Sequence, residues 1–297
     1  MRIPTCLKCQ TEEELGPKLR RAGHYYRTSD SKWVQRFSCR ICQATYSTAT
    51  FSHCYRQKKR RKNFKVFELL SSKNSLNRVA KILNLNRKTV VRTFQNRSLW
   101  ARYKNRELNF SRPKALIVEF DDLETFELTK CKPISVTLAV ESETRRILGF
   151  EVSTMAANGM LAEKAKRLYG PRLDGRRAAR KRLFKQIAPL VAEGALIKSD
   201  DNPHYPRCVK RYFPKSKHIR YAGKRGSSTG QGELKKVRFD PIFSLNHTCA
   251  MLRDNVSRLI RKTWCTTKRI DRLEEHLSLY AYYHNRYLLK TEGEIAA

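Results

Sequence analysis

Ala115-Leu-Ile-Val-Glu-Phe-Asp121 and Gly194-Ala-Leu-Ile-Lys-Ser-Asp200 are the two stretches on which the reading of this chain turns. Each is a short apolar run, suited to a buried strand, that ends on an aspartate. The chain has 297 residues and carries 63 Lys and Arg against 27 Asp and Glu, a net charge of +36. Carboxylates at the edge of a core are costly unless something pairs with them. A positive surface of this size selects a polyanion. Together the two features fit phosphodiester chemistry, in which acids hold Mg²⁺ (or Mn²⁺) and cations hold the nucleic-acid backbone.

The basic residues are spread along most of the chain, and the pI is near 10.2. An anionic membrane is the rival polyanion. No apolar stretch approaches the ~20 residues a spanning helix needs. The opening Met1-Arg-Ile-Pro-Thr-Cys6 lacks the apolar core of a signal peptide, so a cytoplasmic, nucleoid-associated protein is expected.

Outward from the two runs, the pattern alternates between strand and helix. Strands are expected at 115–120, 133–140 and 146–152, with a turn at Glu141-Ser-Glu-Thr144. A helix over 174–192 has Arg176, Arg177, Arg180, Lys181 and Arg182 on its polar side. A strand at 195–198, a helix at 205–213, a strand at 218–221 and a long helix over 240–263 complete the order. That is the order of a ribonuclease H-like α/β domain, a mixed sheet with helices. In that fold the first and fourth strands are neighbours and present their terminal acids, here Asp121 and Asp200, together. Alternate residues of a strand face opposite ways, so one acid of each Asp-Asp pair faces the metal. Asp122 and Asp201 are expected to be solvated loop charges.

The amino-terminal region reads differently. Of nine cysteines, four form the pairs Cys6-Leu-Lys-Cys9 and Cys39-Arg-Ile-Cys42. Two such knuckles can give four thiolates to one tetrahedral Zn²⁺. Between them, apolar and aromatic residues flank a polar Thr28-Ser-Asp-Ser31 turn, the pattern of a hairpin. Residues 1–55 are therefore read as a zinc ribbon that lacks a core of its own, so that metal supplies much of its folding energy. Cys54 stands outside the pattern as an ordinary thiol.

Residues 56–105 are read as a basic linker, Arg56-Gln-Lys-Lys-Arg-Arg-Lys62, and a helix-turn-helix module. Ser75 is the expected N-cap of a helix with Val79, Ala80 and Leu83 inward. A break at Asn84-Leu-Asn86 precedes a short helix over 87–94. Arg87, Lys88, Thr89 and Arg92 of that helix are the candidate DNA contacts. The catalytic domain is placed at 113–270. The C-terminal helix and tail occupy 271–297, with Leu273, Leu277, Tyr280 and Ala281 on one side of a helix over 270–283.

Several of these segments resemble the DDE transposases of bacterial insertion sequences, in particular the insertion-sequence-one family. Asp200-Asp-Asn-Pro-His-Tyr205 is similar to the Asp-x-x-Pro-x-Tyr segment at that family's second catalytic acid. Leu252-Arg253, Arg258-Leu-Ile-Arg-Lys-Thr263 and Thr267-Lys268 resemble its last catalytic helix and the turn beyond. The order of zinc ribbon, helix-turn-helix and catalytic domain is also that family's. The resemblance covers nearly the whole chain and picks Asp121 and Asp200 as the catalytic acids. It implies a DNA transposase that binds element ends as an oligomer, then cleaves and joins strands with two metal ions.

One position departs from the family. Its catalytic Glu falls on Asn246 here, beside His247. Apolar residues from Ile242 to Leu259 recur at three and four, and Asn246 flanks that stripe while His247 lies nearly opposite. Asn246 is therefore the expected equivalent, with His247 and Glu233 as alternatives. Arg253, seven residues on, shares the Asn246 face and is expected to touch backbone phosphate. Two other readings stay open: a catalytically decayed DNA-binding regulator, and a structure-specific nuclease or resolvase on the same fold.

Overall fold

Apolar alternation in the middle of the chain, and the return of helical spacing after it, build a layered α/β unit in the computed structural model. Residues 3–10, 16–222, 240–260 and 266–289 are described. The chain divides into two compact units, Met1–Val66 and Phe67–Ala297.

In the first unit, β1 (Arg20–Arg27), β2 (Lys32–Ser38) and β3 (Thr45–Ser47) form an antiparallel sheet in that order. The β1–β2 hairpin turns at residues 28–31, where Ser31 takes the left-handed conformation (φ 52°). Leu19 and Phe37 are buried against Cys6 and Cys39, so this small core is built around the cysteine knuckles.

The second unit starts with helices. Helix α1 spans Asn63–Leu70 across the division, α2 spans Leu76–Leu83, and α3 spans Arg87–Phe110. The Ser75 hydroxyl accepts from the Arg78 amide, as an N-cap does. Asn84 ends α2 at φ 51°, and Asn86 caps α3 by accepting from the Lys88 amide at 2.8 Å. Helix α3 is far longer than the expected 87–94. Phe94, Arg97, Ser98 and Ala101 continue its buried face, and no Gly or Pro interrupts it before Pro113.

The main sheet joins β4 (Ala115–Phe126), β5 (Pro133–Glu141), β6 (Ile147–Thr154), β7 (Val191–Asp200) and β8 (Lys217–Tyr221) in the order β6-β5-β4-β7-β8. The β6-β5-β4 part is an antiparallel meander, while β7 and β8 run parallel to β4. Helices cover both faces. Helix α5 (Arg176–Ile187) and α6 (Tyr205–Tyr212) bring Leu183, Phe184, Ile187 and Val209 against Phe120, Ala139 and Leu148. On the other face, α7 (Phe243–Asn255) and α8 (Ile270–Tyr283) bring Leu245, Leu252, Leu273 and Leu277 against Val136, Leu138 and Leu123. Helix α4 (Ala162–Tyr169), not anticipated from sequence, lies between β6 and α5 in the chain.

Two expected boundaries move. The 174–192 helix stops at Ile187 because Pro189 opens a 3-10 turn, and β7 begins at Val191. The expected 240–263 helix becomes α7 alone. The Asn255 carbonyl accepts from the Lys73 amide at 2.8 Å instead of continuing the helix, and Val256 is extended. Val256 and Leu259 are still buried, Val256 from extended backbone and Leu259 from the 3-10 turn that follows. No helix among the described residues is long and apolar enough to cross a membrane.

Candidate functional site

Two places bring chemically capable side chains together. The first is the cysteine cluster. The four thiol sulfurs of Cys6, Cys9, Cys39 and Cys42 all lie within 4.8 Å of one another. Cys6 and Cys42 are 3.5 Å apart, and Cys9 and Cys39 3.9 Å. A tetrahedral zinc with bonds of ~2.3 Å sets its sulfurs about 3.8 Å apart, so the spacing fits. Burial raises the Cys6 thiol, but hydrogen bonds from Tyr46 and the Cys9 backbone pull it net down, to about 6. The hydrogen bond with Cys42 and burial push Cys9 up to about 12. Gly16 seals the cluster, since a Cβ there would stand 2.3 Å from the Cys6 carbonyl oxygen. Four cysteines so placed can bind a metal such as zinc.

The second place is the carboxyl end of the parallel β4–β7 ladder. Strand β4 does not stop at Asp121 as the apolar run suggested. It continues to Phe126 because β5 pairs with it throughout, Asp121 opposite Leu138 and Asp122 opposite Thr137. What ends there is the pairing with β7, whose last register pair is Phe120 with Ser199. Asp121 and Asp200 are the next residue on each strand.

Alternation decides which way each acid faces. Phe120 and Asp122 face α5 and α6; Glu119, Asp121 and Leu123 face α7 and α8. On β7, Ala195, Ile197 and Ser199 are buried on the α5–α6 side, leaving Lys198 and Asp200 on the α7 side with Asp121. Burial first, and then the Asp200 charge, push Asp121 up to about 7. Asp200 is also raised, first by burial and then by Asp122 and Asp201, against a backbone hydrogen bond from Asn202. Its Oδ1 is buried and accepts no hydrogen bond among the described residues. An orphaned buried carboxylate oxygen beside a second raised acid is a place for a cation.

Asp122 is not a solvated charge. Its side chain is 8% exposed and pairs with Arg180, itself 5% exposed, at 3.3 Å. The Ser135 and Thr137 hydroxyls both donate to Oδ1. The hydroxyl of Tyr205, the last residue of the Asp-x-x-Pro-x-Tyr segment, lies 3.0 Å from Asp121 Oδ1 and 3.2 Å from Asp122 Oδ2. The Arg180 guanidinium stacks over its ring at 4.5 Å. Burying Asp122 is possible because β5 supplies two hydroxyls and α5 a cation. The strand's own apolar pattern hides this. The visible signal is Ser135 and Thr137, alternating hydroxyls in an otherwise apolar strand that need a buried partner. Asp201 is exposed and pairs with Arg220 at 2.9 Å, as a surface charge does.

The candidates for the third position separate on α7. The His247 ring meets the Arg145 guanidinium at 3.3 Å, and neighbouring Ser244 accepts from the Glu143 amide. That side of α7 faces the β5–β6 turn. Asn246 is exposed and donates to Asp240 at 2.7 Å. The next carbonyl, Pro241, accepts from Lys198 of β7, so Asn246 is on the β7 side. Arg253 is exposed near the end of α7. Glu233 lies outside the described residues. Among the described residues, the cysteine cluster is the only group of three or more His, Cys, Asp or Glu whose ligand atoms are close enough to share an ion.

Sequence reasoning missed Glu119. It is buried, accepts from the Leu245 amide in the first turn of α7 at 2.8 Å and from the Ser142 hydroxyl at 2.7 Å, and so anchors α7 on the sheet. Of the expected DNA contacts, Arg87, Lys88 and Arg92 are exposed and Thr89 half-buried; Arg87 Nε donates to Asn77 at 2.7 Å.

Compared with protein-family models and with curated proteins, the chain matches none.

Proposed function

We propose that the chain is a DNA transposase, acting through Asp121 and Asp200 on phosphodiester bonds. One observation carries the reading. Two carboxylates raised by burial and, for Asp121, by the charge of the other stand side by side where the β4–β7 ladder ends, and one has an orphaned oxygen, in a protein of net charge +36. The ribonuclease H-like assignment is part of this proposal. Its support is an antiparallel meander followed by two parallel strands, with helices on both faces.

Bound Mg²⁺ would be held by Asp121 and Asp200 and would supply an activated water or 3′-hydroxyl and a stabilised leaving oxygen. The residues themselves do the rest. Tyr205 donates to Asp121 Oδ1 and so holds that carboxylate in place. Arg180 neutralises Asp122, so the charge left at the site belongs to Asp121 and Asp200. Asn246, on the β7 side, is the proposed third position, an amide in place of an acid.

Helices α2 and α3 are proposed to act as the helix-turn-helix. Exposed Arg87, Lys88 and Arg92 on the first turns of α3, with Thr89 beside them, would meet DNA, and the cysteine unit would be a zinc ribbon. Double-stranded DNA ends, an oligomer on them and a cytoplasmic location belong to the same proposal.

The test is cleavage and strand transfer on supercoiled plasmid carrying the element's ends, with Mg²⁺. Wild type should nick the ends and join them; Asp121→Ala and Asp200→Ala should not. Equal behaviour of wild type and both variants refutes the catalytic reading. A DNA-binding regulator is the second reading, favoured by one observation: among the described residues no third acid brings an oxygen close enough to share an ion with the pair. Asn246→Ala and His247→Ala in the same assay identify the third position, and only the former should reduce cleavage.

A further inference from the structure

A cleft of about 460 Å³ opens between α5 and α6, on the opposite face of the sheet from α7. Its walls carry Arg176, Arg177, Arg180, Lys181, Arg207 and Arg211, and Asp122 lies in its floor. The sequence spacing explains the concentration. Arg177 and Lys181 are four apart on α5, and Arg207 and Arg211 are four apart on α6, so each helix turns a cationic row into the cleft. Arg180 and Arg176 are neutralised, by Asp122 and Asp174. Arg177, Lys181, Arg207 and Arg211 form no ion pair among the described residues.

Unpaired like charges facing one another across a cleft repel, and low-dielectric walls focus their field. An anion relieves both. The cleft also opens beside Asn202, Pro203 and His204, the loop that leaves the carboxyl end of β7. Strand order reverses at β4, and the crevice outside the carboxyl ends of β4 and β7 is where ligands bind in open α/β sheets. Asp122 and Tyr205 separate the cleft from Asp121 by the thickness of one strand. At about 460 Å³ the cleft is small beside a duplex, whose major groove alone is about 12 Å wide, and is nearer the scale of one strand's backbone.

We propose that this cleft is a phosphate-binding channel for a single DNA strand, and that Arg177, Arg207 and Arg211 grip successive backbone phosphates of the strand whose scissile bond lies at Asp121 and Asp200. The inference rests on the proposed function for the identity of the strand. The binding itself can be tested without catalysis.

The experiment uses the full chain, zinc-loaded, in EDTA-free buffer without Mg²⁺, and a fluorescent 15-nucleotide single strand followed by anisotropy across a salt series. The triple variant Arg177→Ala, Arg207→Ala, Arg211→Ala changes only exposed positions, and circular dichroism checks that it folds. It should lose at least about tenfold in affinity at 0.1 M salt. The slope of log K against log salt should fall by about 2, the share of three phosphate contacts on a single strand. The control Arg182→Ala, Lys185→Ala removes exposed charges of the same helix outside the cleft and should change affinity less than about threefold. Equal losses in both variants, or an unchanged slope in the triple variant, overturn the channel. The two readings fail separately. A triple variant that binds normally sinks the channel whatever the cleavage assay gives. Wild type that never cleaves, with the triple variant still losing affinity and slope, removes the transposase and leaves the channel.

Discussion

The Tyr205 hydroxyl stands 3.0 Å from Asp121 Oδ1 and 3.2 Å from Asp122 Oδ2, between two carboxylates that face opposite sides of one strand. A single O–H donates fully to one acceptor at a time, so the two carboxylates share one phenol proton. The hydrogen bond from Tyr205 lowers Asp121, against burial and the Asp200 charge. Tyr205→Phe should therefore raise Asp121 further, above about 7. Carboxyl ¹³C titration by nuclear magnetic resonance reads this directly. A value unchanged from wild type would mean that the phenol has no hold on Asp121.

Asp121 also makes stability depend on pH. Its native-state affinity for a proton is raised, to about 7. The native form thus binds more proton than the unfolded chain between about pH 4 and 7, and stability falls as pH rises through that window. The upper limit of the loss is about 4 kcal/mol. Asp121→Asn should be more stable than wild type at pH 8, with the gap closing at pH 4. Mg²⁺ should raise the melting temperature of wild type at pH 8 and leave Asp121→Asn unchanged. Thermal melts at the two pH values decide.

The buried pair of Arg180 and Asp122 is the next test. Removing one partner leaves a charge buried with nothing to balance it, which costs about 3–5 kcal/mol. Arg180→Met should lose about that much in urea denaturation. Arg180→Met with Asp122→Asn should recover part of it, because Ser135 and Thr137 can still bond an amide oxygen. A double variant no better than the single would show that the pair is uncoupled.

In the first unit, one zinc per chain is expected by metal analysis, and Cys39→Ser should abolish it. The unit's small core surrounds the cysteines, so a chelator should unfold residues up to Val66 and spare the main sheet in hydrogen exchange. Gly16→Ala should weaken zinc binding although all four cysteines are kept, since the new methyl group collides with the Cys6 carbonyl. Retention of wild-type affinity in Gly16→Ala would mean the knuckle shifts at no cost.

Much of this was legible in order along the chain. The β1–β2 hairpin, the two cysteine knuckles, the Ser75 cap and the helix over 270–283 follow from local pattern, because each depends on residues near in sequence. The apolar runs before Asp121 and Asp200 marked the strands but not their ends. The extent of β4 is set by its partner β5, and the end of α7 by the Lys73 amide, both outside the local window. The same limit applied to Asp122. Its own strand makes it look like the outward neighbour of Asp121, and only Ser135, Thr137, Arg180 and Tyr205, from three other elements, make it a buried ion.

Sequence alone determined the net charge, the four thiols and the two acids that end apolar runs, since composition and spacing are properties of the chain itself. Tertiary structure decided that Asp121 and Asp200 are neighbours on one face, that Asn246 and His247 part to different sides of α7, and that two cationic helix rows close into a cleft. Those relations depend on which strand pairs with which and on how each helix is rotated, and both are settled by the packing of residues distant in the chain.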